Sequence, residues 1–564
     1  MSQKKSTPSL PDPFPTDKLR LLQFGNADGH RDKVAESAFI ETSSVKQFYL
    51  NQHSIIVGAI GTGKSTLFNL LKNHSEKLEL YKNDLIVPLE EALSFNELAG
   101  FVKEHYPGKD ENTLYQLLWK FNVLLKISIE LSKQEGFPNT DYEKAVNRFL
   151  NDSNSSDAYS NILNKFKKLI SNANIKVEAK VGDNPISVEA GLSEQSPKPE
   201  KKINLEEVQR AISESIEERG FKSATVIVDK IDRFVAGAEY YIQKQFINSL
   251  LEVDDDLSAI NNINLKIFIR ADLFDRLDFA ALGYDKVHDN VIRLKWSHDE
   301  TLRFLASRIM VALIQAKICR PEDVFQATDL SEFDLTWREK LFLSSKVPSF
   351  IKNIVNKKEK AERATSLYGK FDKAIITKVF PRSTIHFCAK ESVHLELGTF
   401  EFIRSHFLDG NGICTPRYML IFLKEVVKQV ASYYDENPDQ VSELVLVEKD
   451  FEWDLFKKYC VYQAYLSAKD IYIKNIETID SKWTKNVNVF LSKKGNKTKF
   501  DYKWIRANIP DISESDTVDF LSFLQVIGFL QISDSHQDIR KRGYELPILY
   551  KVSNMPNKPI KPGA

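Results

Sequence analysis

The sequence predicts an α/β fold: a parallel sheet around a phosphate-binding loop, a helical lid after it, and a winged-helix-like C-terminal domain. Three observations carry this prediction. The stretch "SIIVGAIGTGKSTLFNLL" (54–71) places GxxxxGK[ST] between a short β-branched run and a helix-forming run. Two later runs rich in β-branched and apolar residues, 225–228 and 265–269, read as buried strands and are each followed by a charged residue, Asp229 and Arg270. Beyond Ser297 apolar residues return at helical spacing, and the last hundred residues combine a capped helix with two short strand-like runs.

Size and composition set the frame. A chain of 564 residues exceeds one hydrophobic core and predicts three or four compact units. With 42% apolar and 28% charged residues it is an ordinary globular composition. Lys plus Arg and Asp plus Glu both total 78, so the whole molecule has no field to attract nucleic acid or an anionic membrane, and any polyanion site is local. Cys319, Cys388, Cys414 and Cys460 lie far apart without a CxxC pair, which argues against structural zinc and a disulfide framework and fits a reducing cytoplasm. The opening residues 1–20 read as a flexible arm without the apolar core of a signal sequence, and no apolar run approaches the ~18 residues of a membrane span.

The P-loop nucleotide-binding core is read over 21–99 and 203–300. Gly58, Gly61 and Gly63 let the backbone turn its amides inward at a phosphate chain, and the following helix adds its positive amino terminus. Together with Thr62 they form a cradle in which Lys64 reaches the β and γ phosphates, Ser65 ligates Mg²⁺ and Thr66 touches the α phosphate of ATP. The competing reading is a glycine-rich turn that happens to end in Lys-Ser. Asp229 is the strand-end carboxylate that would hold the metal with Ser65, unless it merely caps a buried strand. Arg270 emerges on the same carboxyl edge, placed either to sense a γ phosphate or simply to be solvated. "DLIVPLEEA" (84–92) and "VIRLKWS" (291–297) read as further core strands.

Residues 100–202 read as a helical insertion with one hairpin, the latter signalled by alternation around Gly-Asp-Asn-Pro. Trp119 and Phe121 are expected in its core. The lid is read over 301–435. Within it "CTPRYMLIFLKEVV" offers Thr415 as cap, Pro416 at the first helical position and Arg417 in the first turn. The winged-helix-like domain is read over 436–554, before a tail at 555–564: Ser513 or Ser515 caps a helix that Gly528 stops, and "FLQI" and "YELPILYKV" form a two-stranded wing. Upstream, Lys493, Lys494, Lys497, Lys499, Lys503 and Arg506 interleave with Phe500, Tyr502 and Trp504, a pattern that fits a nucleic-acid grip or a solvated basic loop beside packed aromatics.

The loop, "IVDKIDRF", "IFIRADLFDRLDF" and the helical segment after the last strand resemble the AAA+ and STAND superfamily of P-loop ATPases, close to initiator-like bacterial members often suspected in defence against phage. The resemblance covers roughly residues 20–435 and is specific at 58–66 and Asp229. It implies that residues 24–28 line the adenine pocket or pack, that Arg417 is a second sensor coupling the lid to the nucleotide, and that the chain assembles with copies of itself. It also implies an ATPase; because the remaining chain shows no nuclease, protease or deaminase constellation, any toxic activity is expected in a separate effector protein. Where engines of this superfamily place Glu after the metal-holding Asp, this chain has Lys230, which implies slow hydrolysis; Asp232 is then the remaining water-orienting acid, as in the STAND pattern, and Arg233 and Arg276 are the nearest charge stabilisers. Three functions follow as expectations: a cytoplasmic ATP-driven switch, a DNA-binding loader or regulator acting through the winged helix, or an ATP-dependent scaffold.

Overall fold

The structure, a computed structural model, describes residues 19–35, 38–50, 53–90, 111–152, 175–181, 184–189, 201–231, 240–260, 262–277, 284–316, 376, 379–388, 393–437, 456–477, 479–480 and 482–551. Asp232, Arg233, Cys319, residues 1–18 of the arm read over 1–20, and the 555–564 tail lie outside the described residues. The chain divides into two compact units, Ser43–Leu294 and Met1–Thr42 with Lys295–Ala564.

In the first unit the chain runs α1 (Ser43–Leu50), β1 (Ile55–Gly58), α2 (Lys64–His74), β2 (Leu85–Leu89), α3 (Glu111–Ser132) and α4 (Asp141–Asp152). A hairpin of β3 (Ile175–Val181) and β4 (Asn184–Glu189) follows, then β5 (Lys201–Asn204) and α5 (Leu205–Glu218). The unit closes with β6 (Ala224–Val228), α6 (Tyr240–Ser258), β7 (Ile263–Arg270), α7 (Ala271–Phe274), α8 (Tyr284–Asp289) and β8 (Val291–Leu294). Five strands make one sheet in the order β2-β6-β7-β1-β8, every neighbouring pair parallel. All five residues of β6 are buried, as an apolar run in a sheet covered on both faces must be.

Helix α3 packs on this sheet, and α4 packs on α3 and α5. Trp119 and Phe121 are fully buried, and Trp119 Nε1 donates to the Phe246 carbonyl on α6 at 3.0 Å. Lys120, also buried, is tolerated there because Asp256 accepts from its Nζ at 2.7 Å. The predicted hairpin is present, Val181 opposite Asn184, and β5 extends it in parallel to β3.

The second unit runs α9 (His298–Gln315), the hairpin β9 (Ser383–Cys388) and β10 (Val393–Gly398), α10 (Thr399–His406), α11 (Pro416–Glu436) and α12 (Lys458–Ile476). It ends in α13 (Thr484–Lys494), β11 (Lys499–Asp501), α14 (Tyr502–Asn508), α15 (Glu514–Val526), β12 (Gln531–Asp534) and β13 (Gly543–Glu545). One apolar core joins the lid helices to this terminal part, from Leu302 through Leu423 to Tyr550. The segment 21–42, expected with the nucleotide core, instead belongs to this unit, as does Leu19, which lies at the end of the expected flexible arm but is fully buried. The reason is local: Arg308 of α9 forks onto Asp32 at 3.0 and 2.8 Å and donates to the Phe24 carbonyl at 3.1 Å, with both side chains under 5% exposed.

Three sequence expectations are refined here. Ser513 caps α15, accepting from the Asp516 amide at 3.0 Å, and Gly528 at φ +73° ends it with bonds from Gly528 N to Gln525 O and from Phe529 N to Leu524 O. The wing is not two-stranded: β11 joins β13, giving the antiparallel order β11-β13-β12. Thr415 occupies the cap position of α11, but its side chain makes no capping bond; Pro416 at the first helical position fixes the start instead.

Candidate nucleotide site

The loop between β1 and α2 is shaped by its glycines. Gly61 and Gly63 adopt φ of +86° and +103°, a region closed to most side chains. Gly58 is required for space: a Cβ there would lie 2.4 Å from Thr62 Oγ1 and 3.4 Å from Lys64 Cγ. Thr62, buried, donates to the Ala59 carbonyl at 2.9 Å and pins the turn. Lys64 Nζ lies across the loop, donating to the Gly58 and Ala59 carbonyls at 2.7 and 3.1 Å.

Asp229 is the first residue past β6 and is 4% exposed. Ser65 Oγ donates to its Oδ2 at 3.1 Å, so residues 164 positions apart meet at the foot of α2. Lys230, directly after it, holds φ at +62°, a left-handed conformation that costs a non-glycine residue ~1–2 kcal/mol. In the sheet β7 lies between β1 and β6, and Arg270 is the register partner of Gly58. Arg270 thus stands at the loop, at the carboxyl edge where open parallel sheets take ligands. Its Nε and Nη2 fork onto Asp272 at 3.0 and 2.6 Å, both side chains largely buried.

The structure therefore brings together Gly58, Gly61, Thr62, Gly63, Lys64, Ser65, Thr66, Asp229 and Arg270. Arg276 lies just past α7 in the same unit, whereas Arg417 is the second residue of α11 in the other unit. Sequence reasoning missed Asp272, although the "RAD" spacing at a strand-to-helix turn is its signal. The residues present fit a nucleoside triphosphate with a divalent cation. The loop "GAIGTGKST" contains no carboxylate to repel phosphates, a lysine crosses its mouth, and a hydroxyl with a carboxylate supplies the hard oxygens that Mg²⁺ prefers.

In the C-terminal part the aromatic residues of the basic stretch are structural. Phe500 is buried, and Trp504 packs edge-on against both Phe490 and Phe500. Lys497, Lys499 and Lys503 remain exposed. No described helix is long and apolar enough to cross a membrane.

No family model matches the chain. It is similar to a putative transposon gamma-delta 80.3 kDa protein of Escherichia coli (strain K12), 25% identical over 311 residues. That match covers 51% of this chain and spans only 39% of the relative's length. A solved structure, that of the Aeropyrum pernix ORC1 protein in complex with DNA, overlays 95% of this chain and 90% of its own at 10% identity with a TM-score of 0.29. At that score the likeness carries no argument about this chain.

Proposed function

We propose that the protein is a switch ATPase that binds ATP with Mg²⁺, hydrolyses it slowly, and couples nucleotide state to its lid and C-terminal domain. The Ser65–Asp229 contact carries this reading, because it pairs the two oxygen donors a phosphate-bound cation requires at the base of a glycine-shaped loop. In it Lys64 exchanges loop carbonyls for phosphate oxygens, Ser65 and Asp229 hold the metal, and Arg270 grips the terminal phosphate, while Arg417 keeps the second-sensor role that the resemblance implies. Bound there, ATP supplies the phosphoanhydride whose cleavage resets the switch. Slow turnover follows from Lys230, a cation where a water-orienting acid would stand, leaving Asp232 for that role. Arg417 couples to the C-terminal domain because Tyr418, next in sequence, bonds Tyr550 hydroxyl to hydroxyl at 2.9 Å. By resemblance, the proposal extends to self-assembly and to antiviral defence with a separate effector.

Calorimetry on the full chain tests this. Wild type is expected to bind ATP with Mg²⁺, and Lys64→Ala to lose at least ~100-fold in affinity with its melting temperature retained. Equal affinity in both proteins would refute the reading.

A second reading, nucleic-acid binding through the winged helix, is favoured by charge segregation. Between 485 and 506 seven Lys and Arg residues face one carboxylate, Asp501, whereas 511–519 holds four carboxylates and no cation. The second helix of a helix-turn-helix reads bases with its first residues. Here those are Glu514 and Asp516, with Asp519 a turn later, so this reading is confined to a sequence-independent grip on phosphates by the basic edge.

A further inference from the structure

We infer that Asp272 sets the preference for ATP over ADP, acting as a latch that holds Arg270 until a terminal phosphate competes for it. The inference rests on the nucleotide site proposed above. Arg270 ends β7 in register with Gly58, so its backbone is fixed at the loop by sheet hydrogen bonds rather than by a mobile turn. Its guanidinium is committed through Nε and Nη2 to both oxygens of one carboxylate, at 3.0 and 2.6 Å. Asp272 is 6% exposed, so this bidentate pair is largely out of water and is among the stronger polar contacts of the unit. It sits two residues beyond Arg270, in the first turn of α7, and is therefore carried by the same strand end.

One consequence follows from charge alone: an arginine whose charge is matched by a buried carboxylate attracts a further anion less than an unmatched one. Arg270 can therefore grip a terminal phosphate only by trading one anion for another. ADP, lacking that phosphate, leaves the Arg270–Asp272 pair intact. The latch lowers affinity for ATP selectively and keeps the ADP-bound and ligand-free states alike, which is how a switch avoids firing without its triphosphate.

The test measures ATP and ADP affinities with Mg²⁺ by calorimetry on the full chain. It compares wild type, Asp272→Asn, Asp272→Ala, Arg270→Ala and the Arg270→Ala/Asp272→Asn double variant, each checked by thermal melting. Asn keeps the shape and one acceptor oxygen while removing the charge, so the fold is expected to persist. The expected result is an ATP-over-ADP preference about tenfold higher in Asp272→Asn, with ADP affinity unchanged. Arg270→Ala should lose the preference, and the double variant should show no gain over it. An unchanged or reduced preference in both Asp272 variants overturns the latch. So does an equal gain with Arg270 absent, which would assign the effect to repulsion alone. Failure of wild type to bind either nucleotide would instead remove the nucleotide site itself, and the latch with it.

Discussion

Asp409 offers the sharpest test of how the lid is fastened to the C-terminal domain. It lies in the loop before α11, 4% exposed, and its carboxylate accepts from the amides of Asn411 and Ile413, both at 2.9 Å. A Cβ on Gly528, at the end of α15, would fall 2.7 Å from this carboxyl, and Gly410 N donates to Gly528 O at 2.6 Å. Burial raises the Asp409 pKa from 3.8 to about 6, with the two amide bonds opposing the rise. Because the folded value is the higher one, the folded state holds the proton more tightly. Its contribution to stability is therefore complete below pH 3.8 and is lost as pH rises through 6. Two pH units at ~1.4 kcal/mol each set the loss by pH 7.5 at up to ~3 kcal/mol. Asp409→Asn keeps the amide acceptor and removes the charge. It is expected to melt higher than wild type at pH 7.5 and about equally at pH 3.5, below the unfolded value, in thermal unfolding followed by circular dichroism. A variant no more stable than wild type at pH 7.5, or one that keeps the same pH slope, would refute the reasoning.

Two further outcomes concern the second unit. Replacing Lys497, Lys499 and Lys503 together by Glu is expected to weaken binding to a duplex oligonucleotide, measured by fluorescence anisotropy, and to reduce the salt slope by ~2–3. Asp516→Asn with Asp519→Asn should not weaken it, and a loss there would return α15 to the interface. Asp32→Ala strands the buried Arg308 guanidinium and should cost ~3–5 kcal/mol in unfolding experiments. Replacing Asp32 and Arg308 together by Leu and Met should cost much less, and equal losses would show that the carboxylate does not compensate the guanidinium.

What the sequence disclosed was what local backbone chemistry dictates. The phosphate loop was readable because Gly61 and Gly63 must take left-handed angles and Lys64 must open a helix. Asp229 was readable because it is the first charged residue after a fully buried β-branched strand. Strand order was not, since nothing near β7 says that it inserts between β1 and β6. The same distance hid Asp32, whose partner Arg308 lies 276 positions away. β11 escaped notice because Lys-Phe-Asp is too short to show alternation and sits in a basic run. Thr415 misled because residue type identifies a cap position without ensuring that the hydroxyl turns toward the helix.

The single apolar core shared by α11 and the C-terminal fold has a mechanical meaning. Among the described residues that core runs from the lid helices into the terminal part, so a tilt of α11 would carry the wing packed with it. With 21 residues, α11 is about 31 Å long, and a tilt of ~10° sweeps its far end through ~5 Å. Stiffness, rather than any relay of small side-chain shifts, is what would let a phosphate-sized event be felt at the periphery.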